Sequence, residues 1–177
     1  SDMEMLERKI QRTSKAAKAD KTLQSELDLL LRVSAWLGKG KNARAMDLDD
    51  DEAAFVKTLD LLSYKPIIYV ANVSDSDVAS EDNSYVKQVR QIAAAENARV
   101  TVICAEIEAE VAELEDDERA MFLEELGISE SGLDKLIKAS YSLLDLISFL
   151  TAGEPEVRAW TIKRGTKAPG AAGEIHS

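Results

Sequence analysis

The sequence predicts an α/β fold built on a doubly wound parallel sheet, with an antiparallel helical hairpin ahead of it. Three observations carry this expectation. Two short apolar runs, Ile67-Ile68-Tyr69-Val70-Ala71 and Val100-Thr101-Val102-Ile103-Cys104, flank an amphipathic helical pattern. Strand, helix, strand is the unit that sets neighbouring strands parallel. Residues 1–38 carry two helical apolar seams joined by a short polar link. The bulk composition, 45% apolar and 31% charged over 177 residues, is that of a folded soluble chain.

Taken in order, Met3, Leu6, Ile10, Thr13 and Ala17 recur at alternating spacings of three and four, the pattern of a heptad seam. After Ala19-Asp20-Lys21 a second set follows: Leu23, Leu27, Leu30, Ser34 and Leu37. A link this short joins two helices as an antiparallel pair. Asp20 is placed to cap the second helix, and Gly38 with Gly40 to end it. A loop over 39–48 leads to Asp49-Asp50-Asp51-Glu52, acids suited to the positive end of a helix reaching about Leu62. Pro66 breaks that pattern. The apolar run after it reads as a strand buried on both faces, as in parallel sheets.

Residues 84–95 form an amphipathic helix with Val86, Val89, Ile92 and Ala93 on one side. The second strand follows, then an acidic helical stretch over 106–126 that Gly127 stops. Ser131 opens another helix through Leu146, with Leu133, Leu136, Ile137, Leu143 and Leu144 as its buried set. Phe149-Leu150 and 157–162 read as short strands around the turn Gly153-Glu154-Pro155, and 165–173 is rich in Gly, Ala and Pro. Three regions are expected: a hairpin over 1–48, the α/β part over 49–148, and 149–177, too short for a core of its own.

A net charge of −11 argues against wholesale binding to nucleic acid, which needs a surplus of Lys and Arg. The single cysteine, Cys104, cannot form an internal disulfide and fits a reducing compartment. No apolar run approaches the roughly 20 residues that span a bilayer, and the acidic start is no signal peptide. A cytoplasmic protein without a membrane partner is expected. Both ends look cut, with helical pattern already running at Met3 and no closing element after Glu174-Ile175-His176-Ser177.

Open α/β sheets bind ligands at the carboxyl ends of their strands. The first strand ends in Asn72-Val73-Ser74-Asp75, an Asn followed three residues later by an Asp. That is the layout of the purine-reading motif Asn-Lys-x-Asp of GTPases. An Asn amide donates and accepts at a purine edge, and a carboxylate accepts from the N1–H and amine of guanine. A local turn built by Asn and Asp is the competing reading. The second strand ends in Cys104-Ala105-Glu106, where GTPases carry a short Ser-Ala-Lys loop that closes on the base through a backbone N–H. The two signals stand at the ends of adjacent strands, in the right order.

The segments KPIIYVANV, ICAEIEAEVAEL, FLEELGI, SGLDKLI and FLTAGEPEVRAWTIKRGTKAPGAAGEIHS resemble the YchF-type nucleoside triphosphatases, relatives of the Obg GTPases. The resemblance covers almost the whole chain and is densest from Lys65 onward. It implies the C-terminal half of a P-loop GTPase-like parallel sheet, carrying a helical coiled-coil insertion. The opening of a ubiquitin-like β-grasp (TGS) domain then matches Thr151 to His176. It also implies ATP or GTP hydrolysis coupled to the ribosome, with Asn72, Val73, Asp75, Cys104, Ala105 and Glu106 around the base. Family members that favour ATP carry Glu where this chain has Asp75, which leaves ATP against GTP open; Val73 in place of Lys is the family habit.

No Gly-x-x-x-x-Gly-Lys followed by Ser or Thr occurs in the sequence, nor any magnesium-binding switch segment. Backbone and Lys of that loop cradle the phosphates, and positioning with electrostatics is nearly all of phosphoryl transfer. In the family these parts, and the Mg ligands, lie upstream of the helical arm. The chain by itself is therefore expected to be catalytically inactive.

Arg8, Lys9, Arg12, Lys15, Lys18 and Lys21 cluster on the first helix of this acidic chain. They read either as a contact for ribosomal RNA or another polyanion, or as a solvated face. A second function class follows: a non-catalytic helical-arm module that binds the ribosome or RNA. The acidic run 106–118 points around its helix and makes no metal site. Cys104 reads as a small buried residue rather than a redox sensor. His176, the single histidine, has no nucleophile or acid beside it in the sequence and supports no catalytic role.

Overall fold

The structure, a computed structural model, describes residues 1–78, 83–154 and 156–175. Pro155 of the expected turn and His176 lie outside the described residues. The chain divides into two compact units, Ser1–Pro66 with Ile92–Ala98, and Ile67–Gln91 with Arg99 onward.

The first unit opens with α1 (Asp2–Ala17) and α2 (Gln24–Gly38). Ser1 and Glu4 form a capping box at the start of α1. The carboxylate of Asp20 accepts from the Thr22 N–H at 2.9 Å, but the turn it caps is a 3-10 turn, Lys21–Leu23, that feeds α2. Gly40 takes φ +74° just past α2, a conformation open to glycine.

The seam of α2 differs from the heptad expectation. Leu29, Leu30 and Val33 are buried, while Leu27 and Ser34 are only partly covered. A heptad seam assumes one partner helix. Here Leu6 of α1 and Ala43, Val56 and Leu61 from downstream join one cluster with Leu29, Leu30 and Val33, so α2 is covered along a wider stripe.

Helix α3 (Asp50–Thr58) carries a capping box from Asp49 and Glu52, and it stops at Thr58 rather than near Leu62. Asp60 then turns left-handed at φ +52°, which Asp tolerates, and a 3-10 turn covers Leu62–Tyr64. The Asp2 carboxylate accepts the backbone N–H groups of Leu62 (3.1 Å) and Ser63 (2.8 Å), fastening the start of α1 to that turn. Burial pushes this carboxyl up, but the Ser63 and Leu62 donors outweigh it and hold the group below its usual range.

In the second unit, β1 (Ile68–Asn72) and β2 (Arg99–Ile103) pair in parallel, with Ile68 opposite Arg99 and Asn72 opposite Ile103. The short α4 (Asp75–Val78) follows β1, and α5 (Ser84–Ala95), whose last residues from Ile92 on belong to the first unit, leads to β2. Burial of β1 on both faces does not hold: Val70 is 44% exposed, because this sheet has two strands among the described residues. On α5, Val86 and Ala93 are buried while Ile92 is exposed, lying one helical step (~100°) off the covered stripe.

The acidic stretch forms two helices rather than one, α6 (Ala105–Ala112) and α7 (Asp116–Glu125). The break comes where Glu115 starts a new capping box with Glu118. Gly127 at φ +69° follows α7. Val78, Cys104, Ile107, Val111, Leu123 and Ile128 make the core of this unit.

Ser131 caps α8 (Gly132–Leu143), its Oγ accepting the Asp134 N–H at 3.1 Å. The helix ends before Leu146, since Asp145 is left-handed at φ +53° and β3 (Leu146–Ala152) begins there. Of its expected buried set, Leu133, Ile137 and Leu144 are exposed, and Leu136 and Leu143 are partly covered. Helix α8 meets β2 and β3. Those short strands cover the side that faces them and leave the rest of a broad apolar stripe open. Strand β4 (Val157–Lys163) pairs antiparallel with β3, Phe149 opposite Trp160, and α9 (Ala168–Ile175) closes the described residues. None of the helices described is long and apolar enough to cross a membrane.

The first core gives a direct test. Leu30 is fully buried among the cluster that joins α1, α2 and α3. Leu30→Ala should lower the stability of that unit by about 2–5 kcal/mol. Urea unfolding followed through Trp36 fluorescence, in a Trp160→Phe background, measures it; a loss below about 1 kcal/mol would contradict this core.

Candidate functional site

The strand register decides what meets at the head of the sheet. Asn72 and Ile103 are the last paired residues of β1 and β2, and the ladder continues one bond further, Val73 N–H to the Ile103 carbonyl at 2.9 Å. The residues after each strand, 73–75 and 104–106, therefore leave the sheet side by side.

Asn72 joins them. Its Oδ1 accepts the backbone N–H of Ala105 at 2.9 Å, across 33 positions of sequence. That oxygen bonds an N–H of a distant loop rather than one of its own, which a purely local Asx turn would not require. Ala105 is the first residue of α6, whose opening N–H groups have no partner within the helix. Asn72 thus acts as a cap supplied from another strand. Its side chain is exposed, and among the described residues its amide nitrogen donates to no protein group.

Asp75 opens α4 and is exposed; its Oδ1 accepts the adjacent Ser76 N–H at 2.7 Å. The local side-chain network runs instead through Asp77, which accepts from Ser74 Oγ (3.2 Å) and Asn83 Nδ2 (2.9 Å). Asp75 therefore stands clear of that network. Glu106 is exposed on the first turn of α6, and Val73 is partly covered against the core. Cys104 differs from its neighbours: the thiol is 2% exposed and belongs to the core, so its contribution at the surface is backbone alone.

Two residues that sequence reasoning passed over support this corner. Glu108 turns its carboxylate onto the start of α8, accepting Gly132 N–H at 2.6 Å and Leu133 N–H at 3.0 Å. Gly132 in turn lies against β2: a Cβ there would come within 2.7 Å of Ile103 Cγ2 and 2.9 Å of Glu108 Oε1. Ser131-Gly132 ahead of an apolar run is legible as a helix start. Nothing in the acidic run 106–118 marks which acid would bond across space.

The basic residues of α1 do not act as one group. Arg8, Arg12 and Lys15 line a shallow groove with Gln11, and Lys18 is exposed beyond them. Lys9 turns away, pairing with Glu26 at 3.4 Å and approaching the Phe55 ring at 5.9 Å. A cleft of about 570 Å³ between α7 and α8 contains none of the base-binding or basic-helix candidates. Its cations are paired, Arg119 with Asp116 (3.6 Å) and Lys138 with Glu130 (2.6 Å), and the Glu130 partner holds the Lys138 ammonium above its ordinary value. Among the described residues no three His, Cys, Asp or Glu side chains converge as a metal site.

Comparison with known proteins bears on this arrangement. The family described as YchF-GTPase_C, protein of unknown function (DUF933), matches residues 146–177. The ribosome-binding ATPase YchF of Bacillus subtilis is 54% identical over the whole of this chain, which covers 49% of that protein. That of Shigella flexneri is 45% identical, again over the whole chain and 48% of the relative. Over its whole length this chain is of the YchF type. The solved structure of the Schizosaccharomyces pombe YchF GTPase superposes with a TM-score of 0.86 at 29% identity, covering 99% of this chain and 48% of that one. The α/β architecture expected from sequence, a parallel pair with helices and an antiparallel pair after it, is thus the fold of the YchF GTPase structure. The chain spans about half the length of the curated relatives it matches.

The close packing at Gly132 is open to test. Gly132→Ala should destabilise the second unit by about 1–3 kcal/mol, because the added methyl overlaps Ile103. Thermal unfolding followed through Trp160 fluorescence, in a Trp36→Phe background, checks it; an unchanged midpoint would argue against the contact.

Proposed function

We propose that this chain supplies the base-recognition half of a ribosome-associated nucleoside triphosphatase of the YchF type, binding ATP or GTP. The observation that carries this reading is the hydrogen bond from Ala105 N–H to Asn72 Oδ1. It ties the loop after one parallel strand to the loop after the next, at the strand ends where open α/β sheets take ligands. The Asn72 amide nitrogen is placed to donate to a purine ring nitrogen, and the Asp75 carboxylate to accept from the base. Val73, Ala105 and Glu106 supply the adjoining walls, and Cys104 the backbone between them. The sequence holds no phosphate-binding loop and no magnesium-binding switch segment, so catalysis is assigned to the parent protein and not to this chain alone.

The names of the relatives, ribosome-binding ATPases, support the parent activity, the ribosome as partner and a cytoplasmic setting. In the protein that carries this sequence, Asn72→Ala should weaken nucleotide binding about tenfold, by removing one base contact and the Ala105 clamp together. Isothermal titration with ATP and with GTP measures it. Unchanged affinity for both would exclude the base-recognition role.

The exposed groove of Arg8, Arg12 and Lys15 favours a second reading, a helical arm that contacts ribosomal RNA with or without nucleotide. Lys18 extends that face, and Lys9, already paired with Glu26, contributes least. Reversing charge at Arg12 and Lys15 should reduce ribosome co-sedimentation, more so at low salt, since phosphate contacts are salt-dependent. Sedimentation that is indifferent to both substitutions would rule out this contact.

A further inference from the structure

Glu108 has no role in the base contacts just described, yet it closes a ring of contacts around them. We propose that Glu108 is a positioning residue for nucleotide recognition, holding the Cys104-Ala105-Glu106 turn in register by fastening α6 to α8; this rests on the base-recognition reading of that turn.

The chain of contacts is short and continuous. Asn72 pairs with Ile103 at the end of the ladder and caps Ala105 through Oδ1. Ile103 lies against Gly132, closely enough that no side chain fits at that glycine. Gly132 and Leu133 donate their N–H groups to separate oxygens of Glu108, at 2.6 and 3.0 Å. Glu108 itself stands one turn into α6, so the ring returns to the helix that Ala105 opens.

Two kinds of contact hold α6. Ile107 and Val111, one on either side of Glu108 in the chain, pack in the core, contacts that tolerate sliding because they are apolar and non-directional. The Asn72 cap at Ala105 and the Glu108 clamp are the directional ones. A carboxylate that accepts from two N–H groups at a helix start is charge-assisted and lies at the positive end of that helix. Without Glu108 the rotation of α6 about its axis is set by apolar packing and the single Asn72 bond. The Ala105 N–H would then wander from the place a base must find it, and loss of position at a binding group is loss of affinity.

Glu108→Gln keeps the volume but replaces one accepting oxygen with an amide NH2 donor that faces an N–H. In this chain, hydrogen exchange at the Ala105 amide, followed by NMR, should speed up about tenfold in Glu108→Gln. Exchange at Val56, in the other unit, should not change. In the natural protein that carries this sequence, the same substitution should weaken binding of ATP or GTP about tenfold while leaving inorganic tripolyphosphate binding unchanged. A role confined to stability would lower both ligands alike.

The outcomes separate cleanly. Unchanged Ala105 exchange overturns the proposal whatever the nucleotide results. Faster exchange with nucleotide affinity intact, while Asn72→Ala does weaken binding, also overturns it and spares the base reading. If Asn72→Ala leaves nucleotide affinity unchanged, the base reading fails and takes this inference with it. Parallel loss of nucleotide and tripolyphosphate binding identifies Glu108 as merely structural.

Discussion

The last rung of the parallel ladder, Asn72 against Ile103, is the constraint from which the rest of the second unit follows. A parallel pair brings like ends together, so both connecting loops leave the sheet at the same edge. A shift of one residue would turn Asn72 to the opposite face and carry its amide away from Ala105. Because the register is held by a backbone bond beyond the pair, Val73 to Ile103, the position of a polar side chain is fixed by main-chain geometry.

Capping then does a second task. Ordinary helix starts are satisfied by the residue just before them, as Ser1, Asp49 and Ser131 do for their helices. Helix α6 has Cys104 at that position, whose thiol is buried and offers no cap. Its first N–H is met by Asn72 from another strand, and its own Glu108 meets the N–H groups of α8. Caps supplied across space couple elements that a local cap would leave independent. A neutral bond of this kind contributes about 0.5–1.5 kcal/mol and one to a charged group about 1.5–3, no more than a large core side chain, but each is directional where the core is not.

The first unit is organised differently, around one apolar cluster with polar fastenings at its margin. Arg44 bonds Glu96 and the Lys65 carbonyl, both at 2.9 Å, and Asn42 bonds Glu96 at 2.7 Å. The Arg44–Glu96 pair is 12% and 17% exposed, screened less than the surface pair of Arg164 with Asp145 and correspondingly more sensitive to loss of one partner. That pair links residues 52 apart in sequence and is invisible to any local pattern.

The sequence by itself determined what local chemistry controls. Apolar periodicity placed the helices of the hairpin and the strand-helix-strand order, and side-chain caps at Ser131 and the glycine at 127 marked helix limits. The Asn72 and Asp75 spacing and the Cys104-Ala105-Glu106 turn were legible as a pair of loops at strand ends. Tertiary structure alone decided which faces are covered. Val70, Ile92, Leu133 and Ile137 look buried by pattern and are exposed, because a pattern records which side is apolar and not whether a neighbour is there. It alone decided that α2 is covered along a stripe wider than a heptad seam, and that Asp60 and Asp145 turn left-handed to end their segments early. It also chose Glu108 from a run of equivalent acids. Chemically identical carboxylates differ only in where the fold carries them, and that is set by packing between elements far apart in the chain.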